Sequence, residues 1–398
     1  MIEPAIIKHP IPVHERIYQA VIQRIGSFTA SRYWQLKVVA LSLLVCFLSA
    51  FPDYERYVES TKDPEAWKVV RQQTKSPFTA IPATVLPSPD SNEAKRVFRI
   101  FMPVLGHVLH LERGGLVIAQ NLMGVLFLWA TLALIYKVTE DKTSTTLFVL
   151  SVSLSFPSLW FFNSFSTNLD GPGYLLLLAA LLGPNVALVF VWLFLASFVD
   201  ERVFACFGFV VIWWKCCSSR SDAWNWRRIY SVDRYVVAAS AALLLHGIIR
   251  YYLTVSRGFH LPTGDSSGVG FGTIRNSWTV FSPSIIAPFK GLSLFPVLAA
   301  TVAVARRKWA VLLATAVVVA VVLVQSFAVG DHTRSLAYGF SLVILSVKIL
   351  KELDPGLDLR KMAALTCSLC ILVPSFDLTG GVVSWFTPIL PKALRWIL

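Results

Sequence analysis

Polar and apolar positions fall in long blocks along this chain, not in the short-period mixture that builds one soluble core. Residues 1–35 are polar and basic, with Arg16, Arg24 and Arg32 spaced along a predicted amphipathic helix that lies on a membrane. The first apolar run is Leu36–Phe51. A polar segment follows, from Pro52 to Arg113, carrying Pro77, Pro82, Pro87, Pro89 and both signs of charge. It is too polar to span a bilayer and too long to be an idle connector, so a working loop is expected. Within it, Arg96–Leu111 is amphipathic and predicts a helix lying at the interface. Further apolar runs occupy Gly115–Tyr136, Leu147–Phe162, Tyr174–Leu182, Val186–Val199, Val203–Trp214 and Tyr235–Leu253. The series ends with Leu292–Ala305, Trp309–Ala328, Leu336–Leu350 and Met362–Pro374. Val382–Leu398, with Pro388, Pro391, Lys392 and Arg395, reads as an interfacial helix, a twelfth crossing being the alternative.

The fold class expected is therefore all-α: a polytopic membrane helical bundle of about eleven transmembrane helices, with a long first outer loop carrying interfacial helices. Its parts are a cytoplasmic amphipathic segment (1–35), a transmembrane bundle (36–380) including the outer loop 52–113, and an interfacial C-terminal helix (381–398). Composition agrees: 55% of the 398 residues are hydrophobic and 15% charged, against roughly 25% charged in an average soluble protein.

The net charge of +13 changes the picture only by fixing orientation. Lys and Arg collect in cytoplasmic loops, and that accounts for basic charge here without nucleic acid. With the N-terminus inside, the segments 1–37, 137–144, 215–234, 306–308 and 348–361 hold 19 Lys and Arg. The short outer segments and the C-terminal tail hold 8; the long 52–113 loop is set aside because long loops are poor witnesses. Between Asp170 outside and the basic loop from Lys215 inside, an odd number of crossings is required. Gly183-Pro184 would break a single 40-residue helix, so three short helices are expected, returning Asp200-Glu201-Arg202 to the outer face. Six cysteines sit mostly in apolar runs and read as packing residues, Cys367 and Cys370 included. No N-x-S/T sequon occurs, and about 35 polar residues precede the first apolar run, which points to a bacterial inner-membrane protein without a cleaved leader.

On this topology the acidic residues at membrane ends gather on one side: Asp53 and Glu55, Asp170, Asp200 and Glu201, Asp331 and Asp377. Chemistry is thus expected at the outer membrane–water boundary. Three pieces stand out. FPDYERY (Phe51–Tyr57) holds a carboxylate at headgroup level, where partial desolvation suits a general base. FVDERVF (Phe198–Phe204) places three charges in a turn between apolar runs, costly unless paired or functional. GDHTR (Gly330–Arg334) offers His332 and Arg334 to a phosphate. His107 and His110, three apart, suit a headgroup or structural role better than a metal site. Thr263–Gly272 reads as a flexible outer lid, since no Lys-Ser/Thr follows its glycines.

This layout resembles the GT-C superfamily of integral membrane glycosyltransferases, which use lipid-phosphate-linked sugars. The likeness lies in the acidic start of the first outer loop, FPDYERY, and in the membrane-lying stretch RVFRIFMPVLGHVLHL. It implies transfer of a sugar from a polyprenyl-phosphate donor to a lipid or glycan acceptor on the outer face. Asp53 matches the family's base, with Glu55 beside it and Asp200 and Glu201 as further catalytic candidates. Arg56, Arg96, Arg99, Arg202, His332 and Arg334 are the candidates for holding substrate or phosphate. No cofactor or tightly bound metal is implied, because phosphate is a good leaving group; a weakly held divalent cation remains compatible. An envelope polysaccharide polymerase of similar layout, or a lipid or sugar flippase, is the alternative.

Overall fold

The structure is a computed structural model that describes residues 12–50, 65–82, 85, 96–163, 169–217, 225–259, 271–379, 382–386 and 388. It is mostly helical. In chain order the α-helices are α1 (Val13–Thr29), α2 (Trp34–Ser49), α3 (Glu65–Lys75), α4 (Phe101–Val108), α5 (Arg113–Thr139), α6 (Lys142–Ser153) and α7 (Phe156–Asn163). Then come α8 (Gly171–Leu182), α9 (Val186–Ser197), α10 (Phe207–Cys217), α11 (Trp226–Ile229), α12 (Arg234–Arg257), α13 (Phe271–Asn276) and α14 (Phe281–Ile286). The last are α15 (Leu294–Ala305), α16 (Trp309–Phe327), α17 (His332–Ala337), α18 (Phe340–Leu353) and α19 (Leu359–Leu372).

Among the described residues three helices are long and apolar enough to cross a membrane: Arg113–Thr139, Trp226–Arg257 and Trp309–Phe327. Two bent pairs bring the number to five if each counts as one span. Exposed apolar stripes at helical spacing mark faces suited to lipid: Ile118, Leu122, Leu126 and Trp129 on α5, and Leu313, Val317, Val321 and Val324 on α16.

Helix ends follow local chemistry. Asp141, Asn185, Asp233 and Asp358 each accept a backbone N–H of the first turn after them. Pro172 stands in the first turn of α8, where a missing N–H costs nothing. The run Leu147–Phe162, expected as one helix, is bent by 55° between α6 and α7. Ser153 and Ser155 donate their hydroxyls back to Leu150 and Val152 carbonyls at 2.7 Å, and Pro157 has no N–H to continue the ladder. A 93° bend separates Ser277–Ile286 from Lys290–Ala305.

The C-terminal region departs from the all-helical expectation. Phe376–Thr379 (β1) and Val382–Trp385 (β2) pair antiparallel, so the beginning of the expected interfacial helix is a strand. Two valines and a tryptophan favour an extended chain, and Gly380-Gly381 between the strands is a hairpin-turn sequence. The rest of 381–398 lies almost wholly outside the described residues, as do residues 1–11 and FPDYERY. In the first loop, the helix expected over Arg96–Leu111 forms only over Phe101–Val108 and packs on α3.

α8, α9 and α10 run up and down the bundle as three short segments. The indoles of Trp213 and Trp214, at the end of α10, donate to the Leu181 and Ala180 carbonyls at the end of α8, at 3.0 and 2.9 Å. Those two ends therefore coincide, and α9 carries the chain back to Asp200 beside Asp170. At 11 or 12 residues each helix rises only about 16–18 Å, short of the ~30 Å hydrocarbon core. The five basic segments meet at the opposite end. Lys142 donates to the Thr29 carbonyl at 3.4 Å, Arg360 pairs with Asp141 at 2.9 Å, and Arg306 pairs with Asp354 at 3.1 Å. Lys348 lies over the Trp213 ring at 5.5 Å, and Lys215 is held by the Ile229 carbonyl at 2.8 Å.

Candidate functional site

At the end away from the basic segments, charges from four junctions converge. Arg99 comes from the turn before α4, Asp170 from the start of α8, and Asp200, Glu201 and Arg202 from the turn after α9. Asp331 comes from the turn between α16 and α17, and Arg334 from α17 itself. Asp170 is the hub, with Arg99 at 3.4 Å, Arg202 at 3.4 Å and Arg334 at 3.1 Å. Asp200 receives Arg99 at 3.0 Å and the Arg202 Nε at 2.8 Å, with a second, shorter contact from Arg202. Arg202 also donates to the Ser335 hydroxyl at 2.8 Å and stands 3.6 Å from Asp331, which Arg334 contacts in turn.

Burial makes this network stiff. The side chains of Asp170, Asp200 and Arg202 are all but sealed from solvent, while Glu201 keeps 34% of its surface. Buried charges persist only when paired, and here three arginines face three aspartates. Burial would raise the Asp200 carboxyl, but Arg202 and Arg99 outweigh it and hold it well below the usual carboxylate range. Burial works against the Arg99 guanidinium too, and Asp200, Glu201 and Asp170 more than restore it. Arg334 shifts the other way, lowered by burial despite Asp170. Burial also raises the Asp377 carboxyl on β1, with Arg334 opposing.

Aromatic rings floor the network. Arg202 lies over Tyr338 and Arg334 over Trp160, each at 5.6 Å. Tyr338 packs on Tyr174 at 4.8 Å, and the Tyr174 hydroxyl donates to the Arg334 carbonyl at 3.3 Å. Gly173 lets this happen: a Cβ there would sit 2.8 Å from the Tyr338 ring.

The candidates read from sequence separate into groups. Asp53, Glu55 and Arg56 lie outside the described residues, as does most of Thr263–Gly272. Asp200, Glu201, Arg202, Arg99 and Arg334 meet in the network. Arg96 and Arg99 do not share a helix face, because the helix begins at Phe101; both line a small cavity of about 30 Å³ with Asp170 and Gln73, roomy enough for one or two waters. His332 turns away from the network. Its Nε2 is 2.7 Å from the Ser277 hydroxyl, which donates its own proton to the Thr273 carbonyl at 2.6 Å. Nε2 therefore carries the hydrogen, and the buried ring rests against Phe327. Arg202 and Arg334 arrive already paired with carboxylates. Asp170 and Asp331 are the residues that sequence reasoning placed on the right face but left out of the site; their signal was an aspartate abutting an apolar helix.

Outside the network, an apolar groove of about 400 Å³ opens between α15, α16 and α18. Leu336 and Gly339, two and five residues after Arg334 in the chain, line it, and it follows α16 from Leu323 to Val311, about 18 Å. Among the described residues no group of three or more His, Cys, Asp or Glu side chains is placed to hold a metal ion. No protein-family model, curated protein or solved structure matches the chain.

Proposed function

We propose that the chain is a polytopic bacterial inner-membrane glycosyltransferase of about eleven crossings, with its N-terminus cytoplasmic. It would move a sugar from a polyprenyl-phosphate donor to a lipid or glycan acceptor at the outer face. Two observations support this reading: a cluster of carboxylates and arginines at one end of the bundle, and an apolar groove about 18 Å long whose lining includes Leu336, two residues after Arg334. A substrate with a charged, sugar-bearing head and an isoprenoid tail fits that pairing. The network lies at element junctions at one end of the bundle, which favours chemistry at a boundary over passage through the middle.

The reaction is a single displacement. An acceptor hydroxyl oxygen bonds to the anomeric carbon, the bond from that carbon to the phosphate oxygen breaks, and the lipid phosphate leaves with the electron pair. A carboxylate takes the hydroxyl proton. Asp170 and Asp200 are held by arginines, so the base falls to Asp53, the position the family resemblance assigns, or to Glu201, which remains partly open to solvent. Arg99, with its side chain 17% exposed, is placed to meet the leaving phosphate.

The test is transfer in proteoliposomes from synthetic polyprenyl-phosphate hexoses to membrane acceptors. General-base loss costs ~10²–10⁴-fold, so either Asp53→Asn or Glu201→Gln should lower transfer by that factor at unchanged expression. Transfer reduced less than tenfold by both would move the base elsewhere. No transfer from any such donor, with facilitated lipid or sugar movement instead, would replace the enzyme reading by transport.

A further inference from the structure

A second cavity, of about 540 Å³, opens on the far side of the α3–α4 pair from the charged network. Its lining is strongly basic. α3 supplies Arg71 and Lys75, four apart on one helix face; the exit of α4 supplies His107 and His110; the start of α5 supplies Arg113. Glu112 is the only carboxylate among the described lining residues. The parts are held in place from behind. His107 Nδ1 donates to the Thr74 carbonyl at 3.0 Å, tying α4 to α3, and Arg113 lies over the Trp67 ring at 5.7 Å. The first turn of the 27-residue α5 opens at the same place with no side-chain cap, adding the positive end of a long helix dipole.

The position of the cavity says which anion it suits. Five residues beyond Arg113, about 7.5 Å along the axis, the exposed stripe of α5 begins at Ile118 and continues through Leu122 and Leu126. On the other rim, Val108 and Leu109 are bare beside His107 and His110. Cations directly above exposed apolar surface on one of the longest apolar helices mark the level of lipid headgroups. We propose that this cavity binds the phosphate headgroup of an anionic membrane lipid, whose chains descend along the Ile118–Leu122–Leu126 stripe. The site is separate from the carboxylate–arginine network and stands whether or not the chain transfers sugar.

The experiment is photo-crosslinking of the full chain in nanodiscs, using phosphatidylglycerol or phosphatidylcholine with a diazirine in the acyl chain. Crosslinked peptides are mapped by mass spectrometry, so that lipid bound at the basic end of the bundle is counted separately. Crosslinks within residues 118–126 should favour phosphatidylglycerol several-fold. A charge-assisted bond to phosphate carries roughly a tenfold or greater affinity, so Arg71→Gln with Lys75→Gln should lower that signal about tenfold and leave the basic end unchanged. Glu112→Gln, which removes the opposing charge, should raise it. Equal crosslinking by the two lipids overturns the proposal, as does a phosphatidylglycerol signal indifferent to both variants. Displacement of the lipid by millimolar inorganic phosphate would make this a soluble-anion pocket and overturn the lipid assignment.

Discussion

Replacing Asp170 by asparagine keeps the shape of the side chain and removes the charge that three arginines share. The three contacts, at 3.1–3.4 Å, lie around a carboxylate whose side chain is 2% exposed, so water cannot take over the solvation of Arg99, Arg202 and Arg334. Breaking a buried ion pair from one side costs about 3–5 kcal/mol. Asp200 and Asp331 still face the same arginines, which places Asp170→Asn near the lower end, about 3 kcal/mol. The control is Asp141→Asn. Arg360 reaches Asp141 at 2.9 Å, but the two side chains are 53% and 23% exposed, and asparagine still caps α6. That loss should stay under about 1 kcal/mol. Equilibrium unfolding in mixed dodecylmaltoside–SDS micelles, followed by fluorescence of the 13 tryptophans, compares the two directly. The double variant Asp170→Asn/Arg334→Gln restores the balance of charge and should be less destabilised than the sum of its singles by at least about 1 kcal/mol. Equal costs for Asp170→Asn and Asp141→Asn, with additivity within about 0.5 kcal/mol, would refute the buried-network account.

Two further outcomes are expected. In a background where Cys217, the one exposed cysteine, is serine, Thr79→Cys and Gly356→Cys should label with impermeant maleimide from opposite faces of the membrane, Gly356 from the cytoplasm; labelling from one face would undo the topology. Burial lowers the His332 pKa, so the folded state resists its protonation. The stability it contributes is then complete above the unfolded value of about 6.5 and lost as pH falls below it; His332→Gln should flatten that part of an unfolding profile measured from pH 7.5 to 5, and an unchanged profile would sink the assignment.

Apolar runs and their breakers determine most of the helices directly, because a backbone among apolar side chains must satisfy its own hydrogen bonds. Gly183-Pro184 separates α8 from α9, while α6 and α19 start five and three residues ahead of the apolar runs at Leu147 and Met362, where Asp141 and Asp358 cap them. Charge asymmetry also shows in sequence, and the basic segments do assemble at one end. Legible too was the cost of FVDERVF, three charges in a turn that had to find partners. The sequence could not say which partners. Asp170 and Arg202 are 32 residues apart, and Arg99 and Asp170 are 71 apart; only the packing of α8, α9 and α17 against the first-loop turn brings them within 3.4 Å. Nor could spacing show that His332 faces Ser277, since one turn of helix carries side chains to opposite surroundings. The hairpin after α19 and the bend between α6 and α7 were hidden for a related reason. Short valine-rich or serine–proline stretches are compatible with several local structures, and the neighbours they pack against decide among them.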